Sequence, residues 1–366
     1  MTTGRDQAPA PAPDGGSPPR PAGDNALSPA FHDNWFPVCR IRDLPRARPL
    51  AVTALDQSLA LARFPGRVTA LADRCPHRNA PLSAGRLSAA GLQCPYHGWR
   101  FDHDGRCIDV PGLAEPPAFL RRAGCVPVRP VREQDGLVWV HMGESPVPDA
   151  SLPYRPAGMD PRRVYAFNWT VRARGALADL AENFLDATHT HFIHAGLLRL
   201  DRFRRPVTVQ VRRAAGRVEA EYSGEQRQAG LLPALLEGRR ATAIARFVWP
   251  NIAELEYRDE AGPRLIISAA LTPAAGDAFY IPVRFLLRTG PVTGRLARLL
   301  GAPLFRLALW QDQRITRLQR DVIRRHGGPR FLSTGLDVLG ADIRRLLRDG
   351  PDPAGAVTER RLEMSL

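Results

Sequence analysis

"CPHRNAPLSAGRLSAAGLQCPYH" spans residues 75–97 and holds two of the chain's five cysteines and two of its nine histidines. The spacing runs Cys75-x-His77, sixteen residues, then Cys94-x-x-His97. A histidine two positions after a cysteine, as in Cys75-x-His77, does not share a helical face with it, and each pair is expected on a tight loop. Pro76 and Pro95 hold such loops out of helix. Two loops, each presenting one thiolate and one imidazole, can clamp a single metal centre between them.

A zinc site is the plain reading of two Cys plus two His, but zinc knuckles pair like with like. Here each knuckle mixes its ligands, which suits a cluster with one sulfur-ligated and one nitrogen-ligated iron, the Rieske [2Fe–2S] arrangement. The flanking residues agree. "CPHRNAPLSAG" (75–85) and "CPYHGWRFDHDG" (94–105) resemble the Rieske domain of ring-hydroxylating oxygenases. That resemblance implies Cys75, His77, Cys94 and His97 as cluster ligands. Respiratory Rieske proteins carry a further cysteine in each loop; the matching positions here are Ala80 and Tyr96, as in the oxygenase and ferredoxin branch. Electrons are then expected from NAD(P)H through a separate reductase or ferredoxin. Cys39, Cys107 and Cys125 read as ordinary buried thiols.

With 366 residues, two domains are expected. Hydrophobic residues make up 44% and charged residues 24% of the chain, a globular balance. No stretch approaches the ~18 apolar residues of a membrane span, so no membrane partner is expected. The first thirty residues are rich in Pro, Ala, Gly and Asp without an apolar core; they read as a disordered tail rather than a signal peptide. A cytoplasmic location is the expectation, and the cysteines do not suggest a secreted disulfide framework. The net charge is +14, and every basic residue is arginine. The arginines are spread along the chain without a basic run interleaved with aromatics, so no nucleic-acid binding is expected. Part of this charge is available to steer an acidic redox partner.

Residues 51–64, 67–74 and 136–143 read as strands around the two loops. The Pro-rich stretch 144–161 suggests a boundary near residue 150. A helix is expected from about Gly175, strands through 206–288, a long helix over 303–326 stopped by Gly327 and Gly328, and a short helix within 336–350. No internal repeat is present. No glycine-rich dinucleotide loop follows a strand, so the chain is not expected to bind NAD itself.

An electron carrier of the Rieske type needs little beyond residues 31–145, and over two hundred residues remain. "ENFLDATHTHFIHAG" (182–196) contains Asn183-x2-Asp186-x2-His189-x4-His194, similar to the mononuclear-iron motif of the oxygenase catalytic domain. Such irons take two histidines and one carboxylate and keep open positions. Helix geometry alone does not select the pair: five residues leave His189 and His194 roughly 140° apart, whereas His191 and His194 face each other better. The family spacing points to His189 and His194 and requires the helix to bend or end between them. His191 is then a neighbouring pocket residue, with a ligand role left open.

The resemblance places the carboxylate in "WQDQRITRLQ" (310–319), at Asp312. Periodicity supports it independently. Phe305, Ala308, Leu309, Ile315 and Val322 fall within about 80° of Asp312 on a helix. A carboxylate on that arc needs a partner, which a metal supplies. Asp321 lies on the opposite face near Arg314, Arg317 and Arg324 and reads as a surface ion-pair residue. The resemblance also gives Asp186 and Asn183 catalytic positions. Asp186 would join His189 to His97 of a neighbouring subunit in a ring-shaped trimer, or simply orient His189; Asn183 would lie near the iron without ligating it.

The expected architecture is α+β. A disordered tail (1–30) precedes an antiparallel Rieske domain (31–148) and a helix-grip, START-like catalytic domain (149–366) with a mononuclear Fe(II). The expected function is a terminal oxygenase, homotrimeric, that uses O2 to hydroxylate or demethylate a largely apolar or aromatic small molecule. Phe184, Phe192, Phe247, Trp249 and Phe279 are candidate cavity residues, with core packing the alternative for each. A rival reading is a Rieske electron-transfer protein without oxygenase activity.

Overall fold

Two-residue turns and short β-rich runs build the N-terminal half in the computed structural model, which describes residues 27–366 except 123, 145–146, 148–151, 226–229 and 237–240. Most of the expected tail and the expected 148/149 boundary lie outside the described residues. Leu50–Ala54, Gln57–Phe64 and Arg67–Ala72 form an antiparallel meander that Val128–Arg129 extends. Leu55 and Asp56 both take positive φ in its first hairpin, the conformation that matches the twist of the flanking strands. A second antiparallel sheet consists of Arg86–Ser88, Gly91–Gln93, Arg100–Phe101 and Cys107–Asp109. One cysteine–histidine loop leaves the end of the meander, and the other joins two strands of the second sheet. A third sheet orders Trp35–Arg40, Leu137–His141 and Val131–Gln134.

The second half is one nine-stranded antiparallel sheet flanked by helices, so the α+β expectation holds. Along it run Val164–Arg174, Ala278–Arg288, Gly262–Ala270, Ile252–Asp259, Thr242–Val248, Arg217–Ser223, Pro206–Ala214 and Thr358–Ser365, with Thr272–Pro273 beside Ala278–Arg288. The six segments expected as strands between 206 and 288 all form. Both edge strands, Val164–Arg174 and Thr358–Ser365, were not anticipated. The helices are α1 (Leu177–Leu185), α2 (Leu231–Leu236), α3 (Pro291–Arg325) and α4 (Gly340–Asp349).

Helix α3 starts twelve residues before the expected position. Pro291 occupies its first turn, where a missing N–H costs nothing, and Pro303 lies inside the helix on its exposed side. Gly294, Gly301 and Ala308 are its buried residues. Spaced seven apart, they form one small-residue ridge that brings the helix backbone close to the sheet. A Cβ on Gly294 would fall 2.3 Å from the Tyr165 ring. Asp312 lies on this same face of α3.

One sheet face receives α1 and α4, burying residues such as Leu180, Val209, Ile267 and Ile343. The other face receives the N-terminal half. Trp35, Leu137 and Trp139 pack on Ile252 and Ala270, and the fully buried Thr272 hydroxyl donates to the Pro37 carbonyl at 2.8 Å. The hairpin tip at Asp135 is tied down as well. Its carboxylate meets Arg284 and Arg155, each at 3.0 Å, and its carbonyl accepts from Asn168 at 2.7 Å and Arg284 at 2.8 Å.

Candidate metal centres

The two cysteine–histidine loops repeat one conformation. Cys75 N–H donates to the Ala80 carbonyl at 2.9 Å, and Cys94 N–H to the Trp99 carbonyl at 2.8 Å. The fourth residue after each cysteine, Asn79 or Gly98, takes positive φ to close the loop. Both thiols are buried and free. Burial pushes the Cys75 thiol up to about 11, with Cys94 adding to the rise while the His77 and Arg78 backbone N–H groups oppose it. The two imidazoles lie 4.5 Å apart, centroid to centroid, and Trp99 stacks on His77 at 4.6 Å. His77 Nδ1 is buried without a hydrogen-bond partner. Two free thiols, a pair of imidazoles and an orphaned ring nitrogen fit a mixed-ligand [2Fe–2S] cluster. His97 stands exposed beside Tyr96.

The second centre is built around the end of α1. Asp186 leaves the helix in an extended conformation and accepts from the backbone N–H of Thr188 (2.7 Å) and of His189 (3.1 Å). It thereby holds the entry to the short turn His189–His191. The helix therefore ends before His189, one turn earlier than expected, because this carboxylate offers the backbone an alternative set of hydrogen bonds. Arg199 pins the turn from behind. It donates to the Ala187 carbonyl (3.0 Å) and Thr190 Oγ1 (2.8 Å) while its other nitrogens hold Glu225.

His189, His194 and Asp312 converge, with one ligand atom from each lying within 4.8 Å of the others. Asp312 Oδ1 is 3.0 Å from His194 Nε2 and 3.5 Å from His189 Nε2, yet it is buried without a well-formed hydrogen bond. The three ligand atoms are close enough together to share one ion, as a two-histidine, one-carboxylate iron site requires. Gln311 Oε1 accepts from His194 Nδ1 at 2.8 Å, which turns Nε2 toward Asp312. Asp186 Oδ2 lies 3.4 Å from His189 Nδ1. Gln311 and Thr188 were not singled out in the sequence; the signal for Gln311 was its place beside Asp312 on a helix edge.

The remaining expected residues divide. Asn183 lines the cavity wall rather than joining the trio. His191 is buried outside the trio with both ring nitrogens unpartnered; burial and Arg199 hold it below its ordinary value. Asp321 is exposed as expected, but its partner is Arg320 at 3.6 Å. On the arc around Asp312, Phe305, Ala308 and Leu309 line the cavity, whereas Ile315 and Val322 are exposed where α3 runs past the sheet.

The trio opens on a cavity of about 140 Å³ with mainly apolar walls, including Trp169, Phe184, Leu265, Phe285 and Phe305. Trp169 and Phe285 both meet Phe305 edge-on, at 5.7 and 4.9 Å. Of the five aromatic candidates, only Phe184 lines it. Phe192 is exposed, Phe247 and Phe279 fill the core, and Trp249 packs on Phe31. Phe247 and Phe279 share a sheet face with cavity residues Ala245 and Phe285, but sit at the wrong ends of their strands.

The metal-free charges set a pH dependence. Burial disfavours a charged His189, but Asp186 and Asp312 outweigh it and raise the ring from 6.5 to about 9. The protonated ring stabilises the metal-free fold fully below its ordinary value, and that contribution is lost as pH rises through about 9. A metal must displace this proton. Ferrous affinity, measured by chelator competition, is expected to rise about tenfold per pH unit from neutrality and flatten above His189's raised value. A flat profile across that range would remove His189 from the ligand set.

Comparison with known proteins gives the same division. The family model for the Rieske [2Fe-2S] domain matches residues 34–128, and that for the vanillate O-demethylase oxygenase C-terminal domain matches residues 175–349. The chain joins a Rieske domain to an oxygenase C-terminal domain, and its relatives are Rieske oxygenases. It thus carries a [2Fe–2S] domain and a candidate mononuclear iron site in one chain. It is 36% identical over 179 residues to methylxanthine N1-demethylase NdmA of Pseudomonas putida, covering 45% of this chain and 47% of that protein. It is 40% identical over 175 residues to the dicamba O-demethylase oxygenase component of Stenotrophomonas maltophilia, covering 47% and 50%. The chain thus spans about half the length of the curated relatives it matches. Among solved structures, dicamba monooxygenase bound to dicamba superposes with a TM-score of 0.73 at 23% identity, over 88% of this chain and 98% of that one. NdmA with caffeine gives 0.71 at 23%, over 87% and 90%. At that identity the likeness speaks for the fold. No described helix is long and apolar enough to cross a membrane.

Proposed function

We propose that this protein is a terminal oxygenase of the Rieske type that hydroxylates or oxidatively demethylates a small, largely apolar or aromatic molecule. The observation that carries the reading is the convergence of His189, His194 and Asp312 at the wall of an apolar cavity. When bound, the cluster would store and pass single electrons, and the mononuclear iron would activate dioxygen. The residues of the chain do the rest. Cys75, Cys94, His77 and His97 hold the cluster; His189, His194 and Asp312 hold the single iron. Gln311 accepts from His194 Nδ1 and the Asp186 carboxylate lies 3.4 Å from His189 Nδ1, which leaves Nε2 of each ring for the iron. The aromatic walls bind the substrate and exclude water from the reacting face. Both curated relatives described above are named as demethylases, which favours demethylation within this class.

Electrons are proposed to come from NAD(P)H through a separate reductase, with or without a ferredoxin. Five free cysteines suit a reducing compartment, in keeping with the cytoplasm. We further assign a homotrimer in which His97 of one copy approaches Asp186 of the next. Two features support it. His97 is exposed, and Asp186 also lines an outer cavity of about 500 Å³ that reaches the exposed Leu332. That cavity offers a seat for another copy's loop.

The test is reconstitution with a generic NADH-dependent reductase and a panel of aromatic ethers, N-methyl heterocycles and arenes, following substrate-stimulated NADH use together with product mass. Iron analysis should give about three irons per chain, against two for a pure electron carrier. Two irons with an intact cluster spectrum, and no oxygenated or demethylated product, would favour the electron carrier.

A further inference from the structure

Helix α3 carries a second patterned face, opposite the metal site. Val292, Leu296, Leu299, Pro303 and Trp310 follow alternating steps of four and three residues, broken only at Arg306. On an ideal helix they cover an arc of about 60°, centred close to half a turn from Asp312. None is covered: Val292 is 76% exposed, Leu296 54%, Leu299 71% and Trp310 59%. Leu300 and Leu307, also exposed, widen one side. Scattered exposed leucines are ordinary, but a seam in heptad register is the pattern by which one helix receives another.

The flank of the seam fixes the sign of the partner. Arg295, Arg306 and Arg317 stand eleven residues apart, about three turns, and so form one row along its edge. Arg320 and Arg324 are taken by Asp277, and Arg298 lies over Phe167 at 5.1 Å. By contrast, no ion pair among the described residues involves Arg295, Arg306, Arg314 or Arg317. Helix α3 holds eight arginines against two aspartates, one of which is the candidate ligand Asp312. A second α3 would meet this row with like charge. A lipid surface needs a broader apolar face than a narrow a/d seam.

We propose that the outer face of α3 is a docking seam for an acidic amphipathic helix of a partner protein. Apolar knobs of that helix fill the Val292–Trp310 seam, and its carboxylates pair with the free arginine row. The site is independent of the oxygenase reading, because it uses none of the metal-centre or cavity residues.

The test uses the iron-loaded full chain and a synthetic helix of about three heptads, with Leu at the seam positions and Glu on the flanks. Its counterpart carries Lys in place of Glu. The acidic peptide is expected to bind and shift tryptophan emission to the blue, a shift lost in Trp310→Phe; the basic peptide should not bind. The double variant Leu296→Gln, Leu299→Gln should weaken binding about tenfold or more with iron content unchanged. Arg306→Glu with Arg317→Glu should transfer the preference to the basic peptide. The proposal is overturned if both peptides bind alike or neither binds, or if the leucine variant binds as tightly as the parent. It is equally overturned if the leucine variant lowers the sedimentation mass, which makes the seam a self-interface. Loss of cosedimentation with phosphatidylglycerol vesicles in that variant would make it a lipid surface instead.

Discussion

Asp312→Ala is expected to yield a protein with an unchanged Rieske spectrum, about two irons per chain instead of three, and no measurable turnover. Asp312 is the only anion among the three converging groups. Burial pushes its carboxyl up, but His189 and His194 outweigh that and hold it below the usual carboxylate range, so it is charged and ready for a cation. Removing it leaves two imidazoles at an apolar cavity and takes away the one carboxylate of the converging trio. Losing several kcal/mol of metal-dependent stabilisation corresponds to a rate loss on the order of a thousandfold or more. The four cluster residues sit on loops of the N-terminal half and should not respond. Asp321→Ala, an exposed carboxylate on the same helix, is the control and should leave both iron and turnover intact. Turnover surviving in the Asp312 variant would transfer the carboxylate role elsewhere.

The second large effect is expected at Asp186. Asp186→Asn preserves shape and an oxygen for the Thr188 and His189 N–H groups, but removes the charge beside His189. Burial raises the Asp186 carboxyl while His189 and Thr188 more than offset it, leaving it below its ordinary value. Turnover should fall roughly 10- to 100-fold. Its cause is read from two further measurements. If Asp186 carries electrons between copies, iron stays at about three per chain, and oxidation of the reduced cluster under oxygen and substrate slows by the same factor. If it only steadies His189, iron occupancy falls instead and cluster oxidation follows the iron that remains.

What the amino-acid order reveals depends on whether the signal is local. The paired Cys–His spacing declares its metal because each loop closes on itself within six residues, from Cys75 to Ala80 and from Cys94 to Trp99. Asp312 is legible because helix periodicity places it with Phe305, Ala308 and Leu309, all on the cavity. The helix end at Asp186 is less so, since a helix-ending carboxylate and a mid-helix carboxylate look alike until the backbone is seen. The strand Thr358–Ser365 is charged at four of its eight positions and gains its conformation by pairing with Pro206–Ala214. Cavity membership is harder still. Alternation gives the face on which Phe247 and Phe279 lie, but distance along the strand, set by pairing with remote partners, decides which aromatics meet the substrate.

Gly294 puts a constraint on how this chain can vary. It touches the Tyr165 ring about 27 Å along the helix from Asp312, so the rod that bears the carboxylate is seated at its far end. A methyl group there must tilt the rod or displace the ring. Alleles altered at position 294 would then present as weak metal binders despite an untouched ligand sphere, and recovery would be sought in a smaller side chain at 165 rather than anywhere near the iron.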